Sequence, residues 1–316
     1  MADILIIGEI LVEVMATQRG QSFEEVGFFE GPFASGAPAI FIDQVAKTGS
    51  SCAIVSKVGD DSFGKLSVRR LQRDGVSVRY IDTVPGKTTG IAFVTYDQNG
   101  GRSFIFTLNG SAYSVLKKED VREDLFEDCN FYHIMGCSVF NEQMVEVFAK
   151  AVEIAKARKV QISFDPNLRF ESMRDEKVKQ FIRFVAENCD YFFPGEDELK
   201  WIAGMANEAQ AAQYFLERNA KCVAVKKGAR GSRVYHRNGY FDVAPFKTEE
   251  IDPTGAGDCY AGTFISLLNQ GRTIREAAIY ASASGALAVS RKGPMEGTAT
   301  LQELDDFIKR QSGQPV

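Results

Sequence analysis

Apolar residues along this chain fall into two alternating patterns. Short, nearly continuous apolar runs at Ile4 to Ile7, Cys52 to Val58, Phe131 to Ile134, Gln161 to Phe164, Tyr191 to Phe193 and Cys222 to Val225 have the length of strands buried on both faces. Between them, Ile40 to Thr48, Glu142 to Arg158 and Lys177 to Asn188 place apolar positions at helical spacing. Strand and helix in turn predict an α/β fold: a doubly wound, mostly parallel sheet with helices on both faces. No repeat, low-complexity tract or long Gly/Ser/Pro linker interrupts the 316 residues, so residues 1–316 read as one continuous domain.

Two segments break the rhythm, Leu11 to Phe33 and Thr88 to Ser111. In the second, Ile91 to Tyr96 and Arg102 to Thr107 flank Asp97-Gln98-Asn99-Gly100-Gly101, where Asn-Gly-Gly supplies the positive φ values of a tight hairpin turn. A small antiparallel appendage of this kind is either a lid over a cleft or an ordinary edge hairpin. Its apolar positions, including Val14, Phe28, Phe93, Phe104 and Phe106, exceed what a small hairpin sheet buries alone. A homodimer formed through two such sheets is the expected remedy.

Composition narrows the function. The chain is 45% hydrophobic and 25% charged with a formal net charge of -5, which leaves no basic field for a nucleic acid backbone or an anionic membrane. Met1 to Met15 carries acids at Asp3, Glu9 and Glu13 without a basic flank, so it lacks the charge order of a signal peptide and the length of a membrane span. The six cysteines lie far apart with no CxxC pair, which favours neither a disulfide scaffold nor a zinc site and suits a reducing cytoplasm. His133 and His236 have no second ligand at helical spacing and read as structural. Asn109-Gly110-Ser111 reads as a turn.

The chemistry concentrates in Asp252-Pro253-Thr254-Gly255-Ala256-Gly257-Asp258 and the helix that follows, up to Gly271. A rigid proline and two glycines around one alanine bring backbone amides together at a helix N-terminus, an anion hole for transferred phosphoryl oxygens. Asp258, beside that hole, is placed to accept the proton of an attacking hydroxyl, or else merely to stabilise its helix start.

The run DPTGAGDCYAGTF closely resembles the C-terminal signature of the PfkB, ribokinase-like carbohydrate kinases, and the similarity extends along nearly the whole chain. The resemblance implies a three-layer fold with a β lid, ATP as phosphoryl donor with Mg2+, and K+ in several relatives. It implies Asp258 as catalytic base, the Gly255, Ala256 and Gly257 amides as anion hole, and Asp252 and Thr254 at a monovalent-cation site. Ser35-Gly36-Ala37-Pro38-Ala39 resembles the sugar-binding motif, and Asp165-Pro166-Asn167-Leu168-Arg169 the DPNxR run of fructokinase-like and ketodeoxygluconate-kinase-like members. Lys227-Gly228-Ala229-Arg230-Gly231 resembles the loop over the nucleotide phosphates, and Ala281 to Val289, with Ser284, then Arg291-Lys292-Gly293-Pro294, the segment lining the adenine site. Phe106 on the lid and Arg169 join the expected sugar contacts.

Gly59 to Lys65 imitates a Walker A loop, but Leu66 stands where a Ser or Thr would hold magnesium and two aspartates would repel phosphate. The family's pattern is broken at Ser35, where glycine is usual, at Ile40, where asparagine commonly touches substrate, and at Gly195, the asparagine of NxxE. Glu198 remains to hold magnesium through water, with Asp197 or Glu196 as alternatives for the lost asparagine. The lid run Phe106-Thr107-Leu108-Asn109-Gly110-Ser111-Ala112 lacks the arginine that would grip a sugar acid, leaving Arg169 for that task. The leading expectation is a kinase acting on the primary hydroxyl of 2-keto-3-deoxygluconate, fructose or tagatose; the rivals are a non-catalytic sugar sensor and a nucleoside kinase.

Overall fold

The computed structural model describes residues 2–98, 101–168 and 175–312; Arg169 lies outside them. In chain order the first half runs β1 (Ile4–Ile7), β2 (Leu11–Arg19), β3 (Phe29–Ser35), α1 (Ala37–Lys47), β4 (Cys52–Gly59), α2 (Ser62–Arg73), β5 (Ile81–Val84), β6 (Gly90–Tyr96), β7 (Arg102–Phe106), β8 (Phe131–Met135) and α3 (Glu142–Ala157). The second half runs β9 (Gln161–Asp165), α4 (Glu176–Asn188), β10 (Tyr191–Phe192), α5 (Glu196–Ala203), α6 (Glu208–Leu216), β11 (Cys222–Lys226), β12 (Ser232–His236), β13 (Gly239–Val243), α7 (Ala256–Asn269), α8 (Ile274–Val289) and α9 (Leu301–Ser312).

The large sheet has the order β13-β12-β11-β10-β9-β8-β1-β4-β5. It is parallel from β5 to β11 and antiparallel at the β11-β12-β13 end. Alternate side chains of β1 serve two helix layers, as the period of two along a strand requires. Leu5 and Ile7 pack with Phe148 of α3, Phe181 of α4, Leu199 of α5 and Phe215 of α6. Ile4 and Ile6 pack with Phe41 of α1, Phe264 of α7 and Ala278 of α8. Burying each large apolar side chain of this kind contributes about 1.5–3 kcal/mol.

The second sheet has the order β3-β2-β6-β7. Its outer pairs, β2 with β3 and β6 with β7, are antiparallel, and its central pair, β2 with β6, is parallel. The central pair is parallel because the chain leaves the lid after β3, builds α1 to β5 of the body, and re-enters as β6. Register across the sheet places Glu13, Ala92 and Phe106 on one face with Val94 and Phe104, and puts Val14, Phe93 and Ile105 on the other. The first face covers the body. The second is apolar and partly open, with Ile105 48% and Phe29, which packs on Phe93, 37% exposed.

All six cysteines are free. Among the described residues no cluster of three or more His, Cys, Asp or Glu is arranged to hold a metal, and no helix is long and apolar enough to cross a membrane.

Candidate active site

The chain builds β1, β4 and β5 outward on one side, then returns to β8 on the other, so the sheet reverses direction between β1 and β8. In open α/β sheets a ligand crevice forms outside the carboxyl ends of the strands at such a point. Here the crevice is a cavity of about 660 Å³. The body contributes Asn167, Glu198, Lys226, Thr254, Gly255, Gly257 and Asp258, and the lid contributes Glu13, Arg102, Phe104 and Phe106. A deeper extension of about 270 Å³ shares Glu13, Ala37 and Phe106 with it and reaches Glu9, Gly36 and Cys137.

The α7 start has the form that an anion hole requires. Gly255 caps the helix with φ 82°, and a Cβ there would lie 2.5 Å from the Pro294 carbonyl oxygen. Gly255 and Gly257 both line the cavity, so the helix N-terminus and its dipole face the space where charge would develop. Gly255→Ala combines a disfavoured backbone region with a steric clash and is expected to cost on the order of 1–3 kcal/mol in stability; urea unfolding measures this.

Asp258 sits in the first turn and is 6% exposed. Its Oδ1 accepts a hydrogen bond from Asn167 Nδ2 at 3.0 Å. Burial, then the neighbouring Asp165 carboxylate, push its pKa up to about 7 against the pull of the Lys226 ammonium. That value suits a group that takes a proton near neutrality.

Lys226 ends β11 beneath α7, where its Nζ donates to Asp165 Oδ2 at 2.5 Å. A Cβ on Gly257 would lie 3.2 Å from that Nζ, so the glycine lets the ammonium reach the helix start. Burial works against the charge on Lys226, but Asp165, Glu198 and Asp258 more than offset it and hold its pKa above the usual lysine value. Burial likewise raises Asp165, to about 6, although Lys226 opposes the rise.

Several expected site residues are held by their own network. Ser35 Oγ donates to Glu13 Oε1 at 2.7 Å, so the serine in the glycine position orients a carboxylate of the cavity. Gly36 has φ 111°, and a Cβ there would lie 2.5 Å from the Glu9 carbonyl oxygen. Ala37 lines both cavities, whereas Pro38 and Ala39 are buried in the first turn of α1. Ile40 forms part of the cavity wall. Glu198 accepts from Gly195 N and Leu168 N, both at 2.6 Å. Because residue 195 contributes its backbone amide, the loss of an asparagine side chain there leaves this anchoring intact. Asp252 is buried, and it accepts from Thr254 N at 3.0 Å, Thr254 Oγ1 at 2.7 Å and Gly293 N at 3.0 Å.

Other expected residues stand outside the cavity. Lys227 pairs with Glu208 at 2.8 Å, and Gly228 and Ala229 form a single turn leading to Gly231, φ 83°. Ser284 is buried on α8, its hydroxyl 3.4 Å from the Cys259 carbonyl oxygen.

Lys226, Arg102, Glu9, Glu13 and Asn167 also line the cleft, and none of them stands out as a site residue in the sequence alone. In Lys226-Lys227, strand alternation sends one side chain to each side of the sheet, but which side faces the cleft follows only from the fold. Arg102 lies on the same lid face as Phe104 and Phe106, two and four residues away, and its Nη1 donates to Thr254 Oγ1 at 3.1 Å. The alternation was visible; the contact across 152 residues was not. Glu9 carries the clearest missed signal, an acid at the carboxyl end of a fully apolar strand.

A family model described as pfkB family carbohydrate kinase matches residues 1–301. A probable fructokinase-2 of Arabidopsis thaliana is 30% identical over 314 residues, covering 96% of this chain and 95% of the relative. Among solved structures, an E. coli protein provisionally called ribokinase II, in complex with ATP and Mg2+, is similar at TM-score 0.94 and 44% identity, over 98% of this chain and 100% of that one. A double mutant of the Vibrio cholerae fructokinase, with fructose, ADP and a potassium ion bound, is similar at TM-score 0.84 and 25% identity, over 97% and 98% of the two chains.

Proposed function

Because this chain belongs to the PfkB family of carbohydrate kinases and is a sugar kinase, we propose that it moves the γ-phosphoryl group of ATP to the primary hydroxyl of a neutral keto-hexose, fructose or tagatose. The observation that carries the reading is the sugar side of the cleft. Glu9 and Glu13 line it at 4% and 6% exposure, held in place by hydrogen bonds from Ser138 and Ser35. Buried carboxylates accept hydrogen bonds from sugar hydroxyls and repel a sugar carboxylate. A coupled ADP-release assay across fructose, tagatose, 2-keto-3-deoxygluconate and a nucleoside tests it. Turnover of a neutral keto-hexose supports the proposal, and turnover confined to the sugar acid or the nucleoside overturns it.

In this reading Asp258 accepts the proton of the attacking hydroxyl, and Asn167 fixes its orientation. The α7 amides at Gly255, Ala256 and Gly257 receive the transferred phosphoryl oxygens. Lys226 and Arg102 supply positive charge from body and lid. The ATP phosphates run toward the turn at Gly228, Ala229 and Gly231, with the adenine toward the α8 segment that contains Ser284. Magnesium arrives with ATP, and Glu198 fits it through water, since Mg2+ keeps much of its hydration and takes few protein carboxylates. Asp252 is buried without an ion-pair partner within 4.0 Å among the described residues, which suits a K+ beside it and Thr254. The six free cysteines suit a reducing cytoplasm.

An Asp258 pKa near 7 gives the activity a pH signature. The rate constant kcat/KM is expected to fall about tenfold per unit as pH drops below that value, because only the carboxylate acts as base. Initial rates between pH 5 and pH 9 at saturating ATP check this.

The lid's outer face supports a homodimer. Phe29 and Phe93 meet edge to face at 6.2 Å beside Ile105, an apolar surface that a second lid would cover. Sedimentation at micromolar concentration is expected to give twice the 34.9 kDa chain mass.

A further inference from the structure

A separate cavity of about 660 Å³ lies between α2 and β3 and shares no lining residue with either part of the cleft. Its body wall is a basic ridge. Lys65, Arg69 and Arg73 follow at four-residue spacing on α2, so they stack along one helix face, where like charges repel. Among the described residues Lys65 pairs only with Asp60, at 3.1 Å, with both side chains 60% exposed, a pairing that contributes little. Arg73 donates to the half-buried Asp74 from Nε at 3.0 Å and Nη2 at 3.4 Å, and shares that carboxylate with Arg70. No hydrogen bond or ion pair engages the exposed Arg69 guanidinium among the described residues.

Arg70 forms the floor. It is pinned to Asp74 at 2.6 Å, to Glu296 at 2.8 Å and to the Met295 carbonyl at 2.7 Å. Glu296, the one acid in the lining, is therefore already neutralised. The facing wall, Pro32, Phe33 and Ala34 of β3, is mostly apolar. A chain whose formal net charge is -5 thus sets three outward cations opposite a nonpolar strand. Such a groove fits an anion attached to a less polar ring.

We propose that this groove binds the phosphate monoester of a small metabolite, carried on a sugar or a nucleoside, as an effector site distinct from the catalytic cleft. The forked guanidinium of Arg69 matches a phosphate dianion, the remaining Arg73 nitrogen adds a donor beside it, and the β3 wall takes the ring. Occupancy would tie α2 to the lid. Within β3, Phe33 pairs with Glu13 of β2, and Ser35 donates to the Glu13 carboxylate that lines the sugar cavity. A bound effector is therefore expected to change the KM for sugar more than kcat.

Calorimetric titration of the full chain with inorganic phosphate, a hexose 6-phosphate and AMP tests the site. Each titration compares wild type with Arg69→Ala/Arg73→Ala and with Arg69→Lys/Arg73→Lys. The alanine pair is expected to weaken one monoester by about tenfold or more and to leave basal sugar kinase activity unchanged. The lysine pair is expected to retain much of the binding, and the monoester that loses most identifies the carrier. Equal affinity in wild type and the alanine pair would overturn the proposal, as would absence of binding by all three probes.

Discussion

Asp258→Asn is expected to lower kcat by about 10²- to 10⁴-fold, the usual contribution of a positioned general base, without unfolding the chain. Asparagine has the same shape, occupies the same first turn of α7 and keeps a carbonyl oxygen facing Asn167 Nδ2. The variant is also expected to be more stable than wild type at pH 8. The Asp258 pKa is raised from 3.8 to about 7 in the folded chain, so the native state holds its proton more tightly than the unfolded state does. Stability associated with that proton is complete at low pH and is lost as pH rises from about 4 to about 7. Above that window the wild type bears the full cost of a buried carboxylate, and the asparagine variant bears none of it. Thermal unfolding at pH 5 and pH 8, together with kcat, gives both answers. Near wild-type turnover would remove Asp258 from its role, and a variant destabilised at both pH values would mean that the side chain is mainly structural.

Lys226→Met carries the other large effect. Removing one partner of a buried ion pair strands the other, at a cost of about 3–5 kcal/mol. Here the stranded group is Asp165, fully buried and 2.5 Å from the lysine. Its pKa of about 6 gives it an escape, since it can bind a proton instead of remaining charged, so the loss should shrink as pH falls. The double variant Lys226→Met/Asp165→Asn removes both charges and should recover most of the stability. It should not recover activity, because the cation beside Gly257 has gone from the phosphoryl side of the cleft. Chemical unfolding of the single and double variants, read beside kcat, separates the two contributions. If the double variant is as unstable as the single one, the lysine's packing matters more than its charge.

The sequence disclosed those parts of the fold that depend on short-range pattern. Six apolar runs became strands of the parallel sheet because burial on both faces leaves a continuous apolar signature. Strand β5 was missed because only its ends turn inward, and Asp82 and Thr83 interrupt the run. The β12-β13 hairpin at Asn238-Gly239 carries a readable turn, yet its half-polar strands resemble loop. In the site, Gly255 to Asp258 was legible because a helix start, glycines and an acid lie within four consecutive residues. Lys226, Arg102 and Glu13 were not, since each takes its place in the cleft through a partner distant in sequence: Asp165, Thr254 and Ser35. Lys227, chosen by motif, pairs with Glu208 and does not line the cavity that Lys226 enters.

The parallel pairing of β2 with β6 has a consequence for how this enzyme can be re-engineered. The cover over the cleft is not one inserted loop but two separate excursions of the chain, each of which leaves the body and returns to it, so it is anchored by four backbone crossings. Transplanting substrate preference from another kinase would require exchanging both excursions together, because half a cover would meet a foreign strand along its central seam.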